Sequence, residues 1–314
     1  MKALKLVPDT VDINFIGQRF GAYVFSGILM VFSITFLFIN GLNFGIDFTG
    51  GTLIEIRTEK QDPSISELRQ ELNDLNLGSV SIQEFGQAND LLIRLGQQEG
   101  GTQAQNDAIQ SVKQALETKF GEDGVTYRRV EYVGPQVGEE LKFDGLISIL
   151  LALAGILIYV TFRFELPFGV ASLAALFHDA IATLGLFALT QMEFNLSTVA
   201  ALLMIAGYSI NDTVVVFDRI RENLRKYKKK PLPELFNFSI NQTLSRTLMT
   251  SLTTFLALIA LWIFGGEVIR GFINALLFGI VIGTYSSVFV ASPVLLVLNI
   301  TRDPEGQSQS EQKA

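Results

Sequence analysis

The chain has no cysteine and only one histidine, and these two absences exclude or disfavour several kinds of chemistry. Without cysteine there are no disulfides and no thiol nucleophiles. Without a second histidine or a His/Glu cluster, we expect no metal site. A Ser–His–Asp nucleophile is also disfavoured, because no serine lies in a recognisable nucleophile elbow. We therefore expect neither an enzyme nor a cofactor-binding protein.

Hydrophobic residues are abundant instead. They make up 49% of the 314 residues, 25 residues are phenylalanine, and the mean hydropathy is +0.37. A soluble protein of this length would be more polar, and stretches of about 20 apolar residues predict membrane-spanning helices. We interpret the first stretch as an uncleaved anchor, because no small-x-small cleavage pattern follows it. The six predicted spans are Gly21–Ile39, Leu146–Phe164, Phe168–Leu189, Leu196–Phe217, Leu248–Phe264 and Phe272–Leu298.

Lysine and arginine in the flanking loops predict the orientation of the chain. Basic residues precede the first span at Lys2, Lys5 and Arg19, and seven more lie between Arg219 and Lys230. The loop after the third span has none, and the loop after the fifth span has one. We expect both termini and the basic loop in the cytoplasm, and the residues between the first two spans outside. The basic loop then sets the topology or contacts anionic lipids, and nucleic acid is not an expected partner.

The residues between the first two spans predict a compact acidic domain. From Leu53 to Phe143 there are 16 acidic and 9 basic residues, which argues against nucleic-acid binding. Alternating apolar residues predict strands, and helical spacing predicts helices. The resulting order is β-α-β-β-α-β, the ferredoxin-like pattern. Strands are predicted at 52–58, 79–85, 90–95 and 125–133, and helices at 64–76 and 103–120.

The predicted fold is an α-helical polytopic membrane protein with six transmembrane helices and a small α+β ferredoxin-like domain. This pattern occurs once, whereas a two-half transporter shows each part twice. The expected division is a cytoplasmic N-terminus (1–20), the first transmembrane helix (21–39), the ferredoxin-like domain with its linkers (40–143), a five-helix transmembrane block (144–300) and a disordered cytoplasmic tail (301–314).

Asp212 is an ionisable residue inside the fourth apolar stretch. A carboxyl at membrane depth costs roughly 2.5–3.5 kcal/mol on insertion scales, so it usually faces a bundle interior or a wet cavity and indicates a functional site. Ser209, three residues earlier, shares its helical face, whereas Asn211 points to a different face. We expect Asp212 to couple a proton to movement. The alternative is a satisfied hydrogen bond between helices.

Arg246 enters the membrane from the cytoplasmic side at the head of the fifth span, at the depth that Asp212 reaches from the other side. Thr250 and either Thr253 or Thr254 share its helical face, and such a hydroxyl stripe bridges helices or holds water. This placement predicts an Asp212–Arg246 pair. Alternatively, Arg246 is an anchor whose charged end reaches back to the cytoplasmic surface.

His178 and Asp179 lie near the middle of the third span. Two interpretations stay open: a buried, hydrogen-bonded structural pair, or part of a proton relay. Asp179 and Asp212 would have to share one site for aspartyl intramembrane proteolysis, which we disfavour. The candidate site therefore consists of Asp212 and Arg246 for proton transport, with His178, Asp179, Asn211 and Ser209 as relay or structural polar residues.

Several runs resemble the SecD/SecF family of bacterial protein secretion, in the RND superfamily. They cover nearly the whole chain except much of the acidic domain and the tail, and two of them are closest to the SecF side of the family. These two are Gly207–Asn223 and Asn241–Thr254. The others are Gly45–Thr52, Val133-Gly134-Pro135 with Gly138, Phe177-His178-Asp179, Gly283–Ser287 and Ala291-Ser292-Pro293.

The resemblance implies a SecF-like subunit of the SecDF complex in the bacterial inner membrane, with a periplasmic domain. SecD would supply the other RND-type half and a further acidic residue. The complex would use the proton motive force to assist preprotein export through the SecYEG channel, with YajC as a further partner. Family proton-path residues fall on Asp212 and Arg246. The proton is then the coupling ion, with sodium as the alternative.

Two other functions stay open. A proton-coupled exporter of small molecules would carry two halves in one chain. Purification of the protein alone would favour this exporter, whereas purification together with a larger homologous chain would favour a subunit of SecDF. A non-transporting scaffold would only hold polypeptide outside the membrane. Activity that does not depend on an ion gradient would favour the scaffold.

Overall fold

The computed structural model describes residues 12–59, 64–78, 80–85, 87–266, 268–298 and 300. The predicted disordered tail, 301–314, lies outside the described residues. In chain order the elements are α1 (Arg19–Ile39), β1 (Asn43–Phe44), α2 (Ile46–Thr49), β2 (Gly51–Thr58), α3 (Ile65–Asp74), β3 (Val80–Phe85), β4 (Gln87–Leu95), α4 (Gly101–Phe120), β5 (Val125–Val133), α5 (Pro135–Arg163), α6 (Leu166–Thr190), β6 (Glu193–Phe194), α7 (Leu196–Lys226), α8 (Leu232–Phe264), α9 (Arg270–Ser286) and α10 (Ser292–Val297).

The chain forms two compact units. Residues 43–147 together with 193–196 form one unit, here called the α/β domain, and the remaining described residues form the helical unit. The compact domain thus reaches further than the expected range of 40–143 at its C-terminal end. It also includes the short segment 193–196, which lies between α6 and α7 in sequence.

The helical unit contains six helices that are long and apolar enough to cross a membrane, which confirms the predicted spans. α7 and α8 continue beyond their apolar stretches, to Lys226 and from Leu232. The extensions are helical because they bury apolar side chains against each other, including Ile220 on α7 and Phe236 on α8, both fully buried. Burying such a side chain contributes about 1.5–3 kcal/mol.

The last span is not a uniform α-helix. Between α9 and α10 lies a π-helical segment, Ser287–Ala291, in which Ser292 Oγ donates to the Ser287 carbonyl at 3.0 Å. Pro293 follows directly. Proline lacks the backbone N–H that an α-helix needs and clashes with the carbonyl four residues earlier, so a locally wider turn accommodates it.

Three helices form the centre of the helical unit. The most apolar windows of α6 and of the last span are 56% buried and that of α7 is 44% buried, whereas those of α1, α5 and α8 are each 11% buried. Close packing in the centre depends on glycine. A Cβ at Gly279 on α9 would lie 2.3 Å from the Ile205 side chain on α7, and a Cβ at Gly185 on α6 would lie 2.3 Å from Ser33 on α1.

The α/β domain contains a four-stranded antiparallel sheet in the order β3-β4-β2-β5. This order, with α3 and α4 connecting the strands, confirms the ferredoxin-like prediction. β4 begins at Gln87 rather than at Asp90, so most of the turn expected over 86–89 is strand, and the β3–β4 register shifts between Glu84 and Phe85. The core is formed mainly by Ile54, Ile56, Leu68, Leu72, Leu91, Ile93, Val112 and Leu116.

Candidate functional site

Asp212 lies in the middle part of the helical unit and is 2% exposed. Its carboxylate has two hydroxyl neighbours on α8. Thr250 Oγ1 is 3.5 Å from Oδ1, and Ser251 Oγ is 3.4 Å from Oδ2. Both hydroxyls have shorter contacts elsewhere, Thr250 with the Thr247 carbonyl at 2.9 Å and Ser251 with Thr284 Oγ1 at 2.7 Å. Because a hydroxyl donates only one hydrogen, the hold on Asp212 is weak.

Arg246 lies one helical turn before Thr250 on α8 and is exposed. Thr250 also contacts the Arg246 carbonyl at 3.2 Å, so the predicted shared face of these two residues is present. Within the described residues, no ion pair with an N–O distance of 4.0 Å or less joins Arg246 to Asp212. Arg246 therefore lies one turn from Thr250, which contacts Asp212, but Arg246 does not form the expected ion pair with Asp212 in this conformation.

Asp179 on α6 is held much more tightly than Asp212. Its Oδ2 accepts a 2.6 Å hydrogen bond from Ser209 Oγ on α7 and a 2.8 Å bond from Ser286 Oγ at the end of α9. Its Oδ1 is 3.0 Å from His178 Nδ1. All four side chains are buried. The Asp179 carboxylate thus connects side chains from three helices, α6, α7 and α9, by short hydrogen bonds.

Serine hydroxyls connect this centre to the next turn of α7. Ser287 is the first residue of the π-helical segment. Its Oγ lies 2.8 Å from Thr213 Oγ1 and donates to the Ser209 carbonyl at 3.3 Å. A Cβ at Gly283 would lie 3.1 Å from the Cβ of Ser209, so glycine permits this close approach of α9. Gly279 and Gly283 on α9 thus both pack against the face of α7 that carries Ile205 and Ser209.

Other buried polar atoms lack a hydrogen-bond partner among the described residues. They include His178 Nε2 and Tyr208 Oη, and Thr247 Oγ1 on the turn of α8 before Thr250. Asn211, in contrast, is exposed and lies away from the Asp212 carboxylate.

Sequence reasoning placed some of these residues and missed others. The prediction that Thr250 shares the Arg246 face agrees with the contact between Thr250 and the Arg246 carbonyl, whereas Ser209, predicted on the Asp212 face, donates its hydrogen bond to Asp179. Sequence reasoning did not connect Asp179 to Ser209 and Ser286, nor Asp212 to Ser251. The available signal was the serine pair Ser286-Ser287, whose role depends on the π-helical turn, and helical periodicity does not reveal such a turn.

The arrangement separates two buried carboxylates by how firmly they are bound. Asp179 has three contacts of 2.6–3.0 Å, whereas Asp212 has two hydroxyl contacts of 3.4 and 3.5 Å, and both of these hydroxyls have shorter contacts elsewhere. A carboxylate in an apolar environment with weak hydrogen bonds gains little from being ionised, and an approaching cation changes that balance. The site is therefore suited to binding and releasing a proton when neighbouring helices move.

Two family models match the chain. Residues 112–301 match the C-terminal part of the protein export membrane proteins SecD/SecF, and residues 35–62 match the SecD/SecF GG motif. Protein translocase subunit SecF of Rickettsia bellii is 46% identical over 94% of this chain and 96% of its own length. The SecF subunit of Magnetococcus marinus is 51% identical over 91% of this chain and 92% of its own length.

Solved structures of SecDF are similar to the chain as well. The crystal structure of SecDF from Thermus thermophilus, a translocon-associated membrane protein, superposes with a TM-score of 0.82 at 38% identity, over 92% of this chain and 39% of the SecDF chain. A SecDF structure in a super-membrane-facing form gives a TM-score of 0.69 at 36% identity, over 98% of this chain and 41% of the other. The chain therefore belongs to the SecD/SecF family of protein export membrane proteins, on its SecF side.

Proposed function

We propose that this SecF-type subunit couples proton movement through the membrane to the export of preproteins. Asp212 is the residue that exchanges the proton, and Arg246 sets when it does so. The observation that carries the proposal is the weak hold on a fully buried carboxylate: its two hydroxyl contacts, Thr250 and Ser251, are 3.5 and 3.4 Å away. A purely structural carboxylate is held as Asp179 is, by short bonds from several helices.

The cycle has two states of the pair. When the Arg246 guanidinium approaches, the attraction between opposite charges in a low-dielectric surrounding favours ionised Asp212, and the proton leaves. When Arg246 withdraws, an uncompensated charge at membrane depth is unfavourable, and Asp212 takes up a proton. Movement of α8 relative to α7 is thereby linked to each proton. In the part of the chain that the structure describes, Arg246 and Asp212 form no ion pair within 4.0 Å, which is compatible with the withdrawn state of this cycle.

The chain provides about two fifths of the length of a SecDF chain, 39% in the Thermus protein. We therefore place it beside a SecD subunit, which supplies the second half and a further acidic group. The complex assists the SecYEG channel in the bacterial inner membrane, with YajC as an additional component. Both termini face the cytoplasm and the α/β domain faces the periplasm, because basic residues occur near the start of the chain, at Lys2, Lys5 and Arg19, and cluster in the last turns of α7 and just after it, between Arg219 and Lys230.

The test uses the complex of this chain with SecD, reconstituted with SecYEG in vesicles under an imposed proton or sodium gradient. Ion flux and preprotein export are measured in the same vesicles. Asp212→Asn is expected to abolish proton flux and gradient-dependent export while the complex still assembles. Asp218→Asn is the matched control, because Asp218 lies on the same helix but is half exposed and pairs with Arg163.

Each other outcome overturns a defined part of the proposal. Full stimulation of export by the Asp212→Asn complex excludes Asp212 as the coupling residue. Stimulation that persists without any gradient favours the scaffold function. Flux that is driven by sodium alone would identify sodium, and not the proton, as the coupling ion. Transport of small molecules by the chain without SecD would favour the exporter.

A further inference from the structure

The segment between α6 and α7 belongs to the α/β domain, although both of its neighbours in sequence are membrane helices. Its strand β6 pairs in parallel with β1, with Asn43 facing Glu193 and Phe44 facing Phe194. The Gly45 N–H donates to the Phe194 carbonyl at 2.9 Å. The Phe194 ring is buried against Phe44, at a centroid distance of 5.8 Å, and against Phe48 at 5.9 Å.

Arg94 fastens this two-stranded sheet to the larger one. It projects from β4, and its Nη2 lies 2.5 Å from Glu193 Oε2. Its Nη1 donates to Asn43 Oδ1 at 3.3 Å. Because Asn43 and Glu193 face each other in the β1–β6 pair, one guanidinium bridges both strands. The two charged side chains are only 13% and 21% exposed, so the ion pair is shielded from solvent.

Asp47 provides a second connection, at the start of α7. Its Oδ2 accepts a 2.8 Å hydrogen bond from the backbone N–H of Leu196, the first residue of that helix. The first N–H groups of a helix lack partners within the helix, and its N-terminus carries a partial positive charge. The Asp47 carboxylate satisfies both requirements from another part of the α/β domain.

The fit around Glu193 leaves no space for a side chain at Gly45. A Cβ at Gly45 would lie 2.4 Å from Glu193 Oε1 and 3.2 Å from the Cβ of Asn195. The backbone of Gly45, with a φ of −72°, is one that any residue adopts, so space and not conformation requires the glycine. A side chain at this position would therefore have to displace the Glu193 carboxylate, which lies beside Arg94.

We infer that the Arg94–Glu193 ion pair and the Asp47–Leu196 cap form a coupling clamp that ties the α/β domain to the N-terminal end of α7. The inference rests on the proposed function. α7 is the helix that carries Asp212, so a change at the proton site reaches the α/β domain through the start of the same helix. Arg94 acts here as a positioning residue and takes no part in proton transfer.

The clamp makes a specific prediction about uncoupling. Breaking the ion pair leaves the Asp212 site as it is, so proton flux continues. The α/β domain then no longer follows α7, so export loses its dependence on the gradient. A site mutation such as Asp212→Asn stops both processes, whereas a clamp mutation stops only one.

The test is a charge exchange in the reconstituted complex with SecD and SecYEG. Arg94→Glu and Glu193→Arg are each expected to keep proton flux and to reduce gradient-dependent export at least about fivefold, the lower end of typical coupling between sites. The double variant, which restores opposite charges, is expected to recover most of the export. Arg57→Glu is the control, because it reverses one charge of a comparable 2.6 Å ion pair, with Asp90, in the same domain.

Hydrogen exchange of residues 193–198 in the purified complex provides a readout that needs no gradient. Exchange should rise in each single variant and fall again in the double variant. Single variants with normal coupling, or a double variant that assembles yet recovers neither export nor protection, would overturn the inference while leaving the proposed function intact. Failure of the proposed function is recognised separately, by proton flux that survives Asp212→Asn.

Discussion

Ser209 donates a 2.6 Å hydrogen bond to Asp179, and it does so from the face of α7 that carries Asp212 one turn later. The Asp179 carboxylate, which is tightly held, is thus bonded to α7 one turn before Asp212, which is loosely held. Under the proposed function, Asp179 holds the helices together and Asp212 exchanges the proton. Removing each of them should therefore have different consequences.

Replacing Asp179 by asparagine should destabilise the helical unit. The single amide oxygen can replace Oδ2 as the acceptor for Ser209 and Ser286, but it lacks the charge of the carboxylate, and the amide NH2 group replaces Oδ1 opposite His178 Nδ1. A hydrogen bond between membrane helices contributes about 0.6 kcal/mol on average and up to about 1.7 kcal/mol, so a loss of about 1–3 kcal/mol is expected. Unfolding by SDS in mixed micelles measures the change.

Ser172→Ala is the control for this substitution, because Ser172 is also buried on α6 but donates to the Phe168 carbonyl of its own helix. It should change stability much less. Equal stability of the Asp179→Asn and Ser172→Ala variants would contradict a structural role. A stable Asp179→Asn variant without proton flux would instead support the relay interpretation of His178 and Asp179.

Gly279→Ala should separate α9 from α7. The added Cβ would lie 2.3 Å from Ile205, so the helices must move apart or the isoleucine must adopt a strained rotamer, at a cost of about 1–3 kcal/mol. Gly271→Ala on the same helix has open space and should be neutral. Stability and assembly with SecD are measured as above. In the Ile205→Ala background the same glycine substitution should cost much less stability, and an unchanged cost would show that the contact with Ile205 is not responsible.

Asp90 should make the α/β domain sensitive to acid. The hydrogen bonds from Arg57, at 2.6 and 2.7 Å, together with the charges of Arg57 and Arg128, hold the pKa of this carboxyl below its usual range. A lowered pKa in the folded state means that the stabilisation is complete above the unfolded value of about 4 and is lost as the pH falls through the folded value. Asp90→Asn should remove this part of the pH dependence and reduce stability near neutral pH.

Pulse proteolysis of the full-length protein between about pH 6 and about pH 3 follows the unfolding of the domain. Asp107→Asn, at an exposed carboxyl on α4, is the control and should keep the wild-type profile. If Asp90→Asn and the wild type lost stability over the same pH range with the same slope, the Arg57–Asp90 pair would not be the cause.

The fold was predictable where one physical signal dominates. Continuous apolar stretches gave the six spans, and alternating patterns gave the strands of the ferredoxin-like sheet. The helical extensions of α7 and α8 were not predicted, because residues such as Phe236 and Ile220 become a core only when the two helices pack together. The place of Glu193–Leu196 in the α/β domain was also missed, since a two-residue strand has no periodicity to detect.

The residues of the candidate site were also predictable only where a local signal in the sequence identifies them. An ionisable residue within an apolar stretch identified Asp212 from the sequence. The same argument flagged Asp179, but whether a buried acid is held tightly or loosely depends on donors from other helices. Those donors, Ser286 on the last span and Ser251 on α8, reach their targets only through tertiary packing and the π-helical turn, so no local pattern distinguishes the two acids.

The pairing of β1 with β6 has a practical consequence for dissecting the chain. A fragment cut at residues 43 and 147 would lose Glu193 and Phe194, so Arg94 would keep a shielded guanidinium without its counter-charge and Phe44 would lose a ring that covers it. The β1 edge would then be open to neighbouring fragments, as unpaired edges are prone to aggregate. An isolated version of the domain should therefore carry the tetrapeptide 193–196 as a tethered extension.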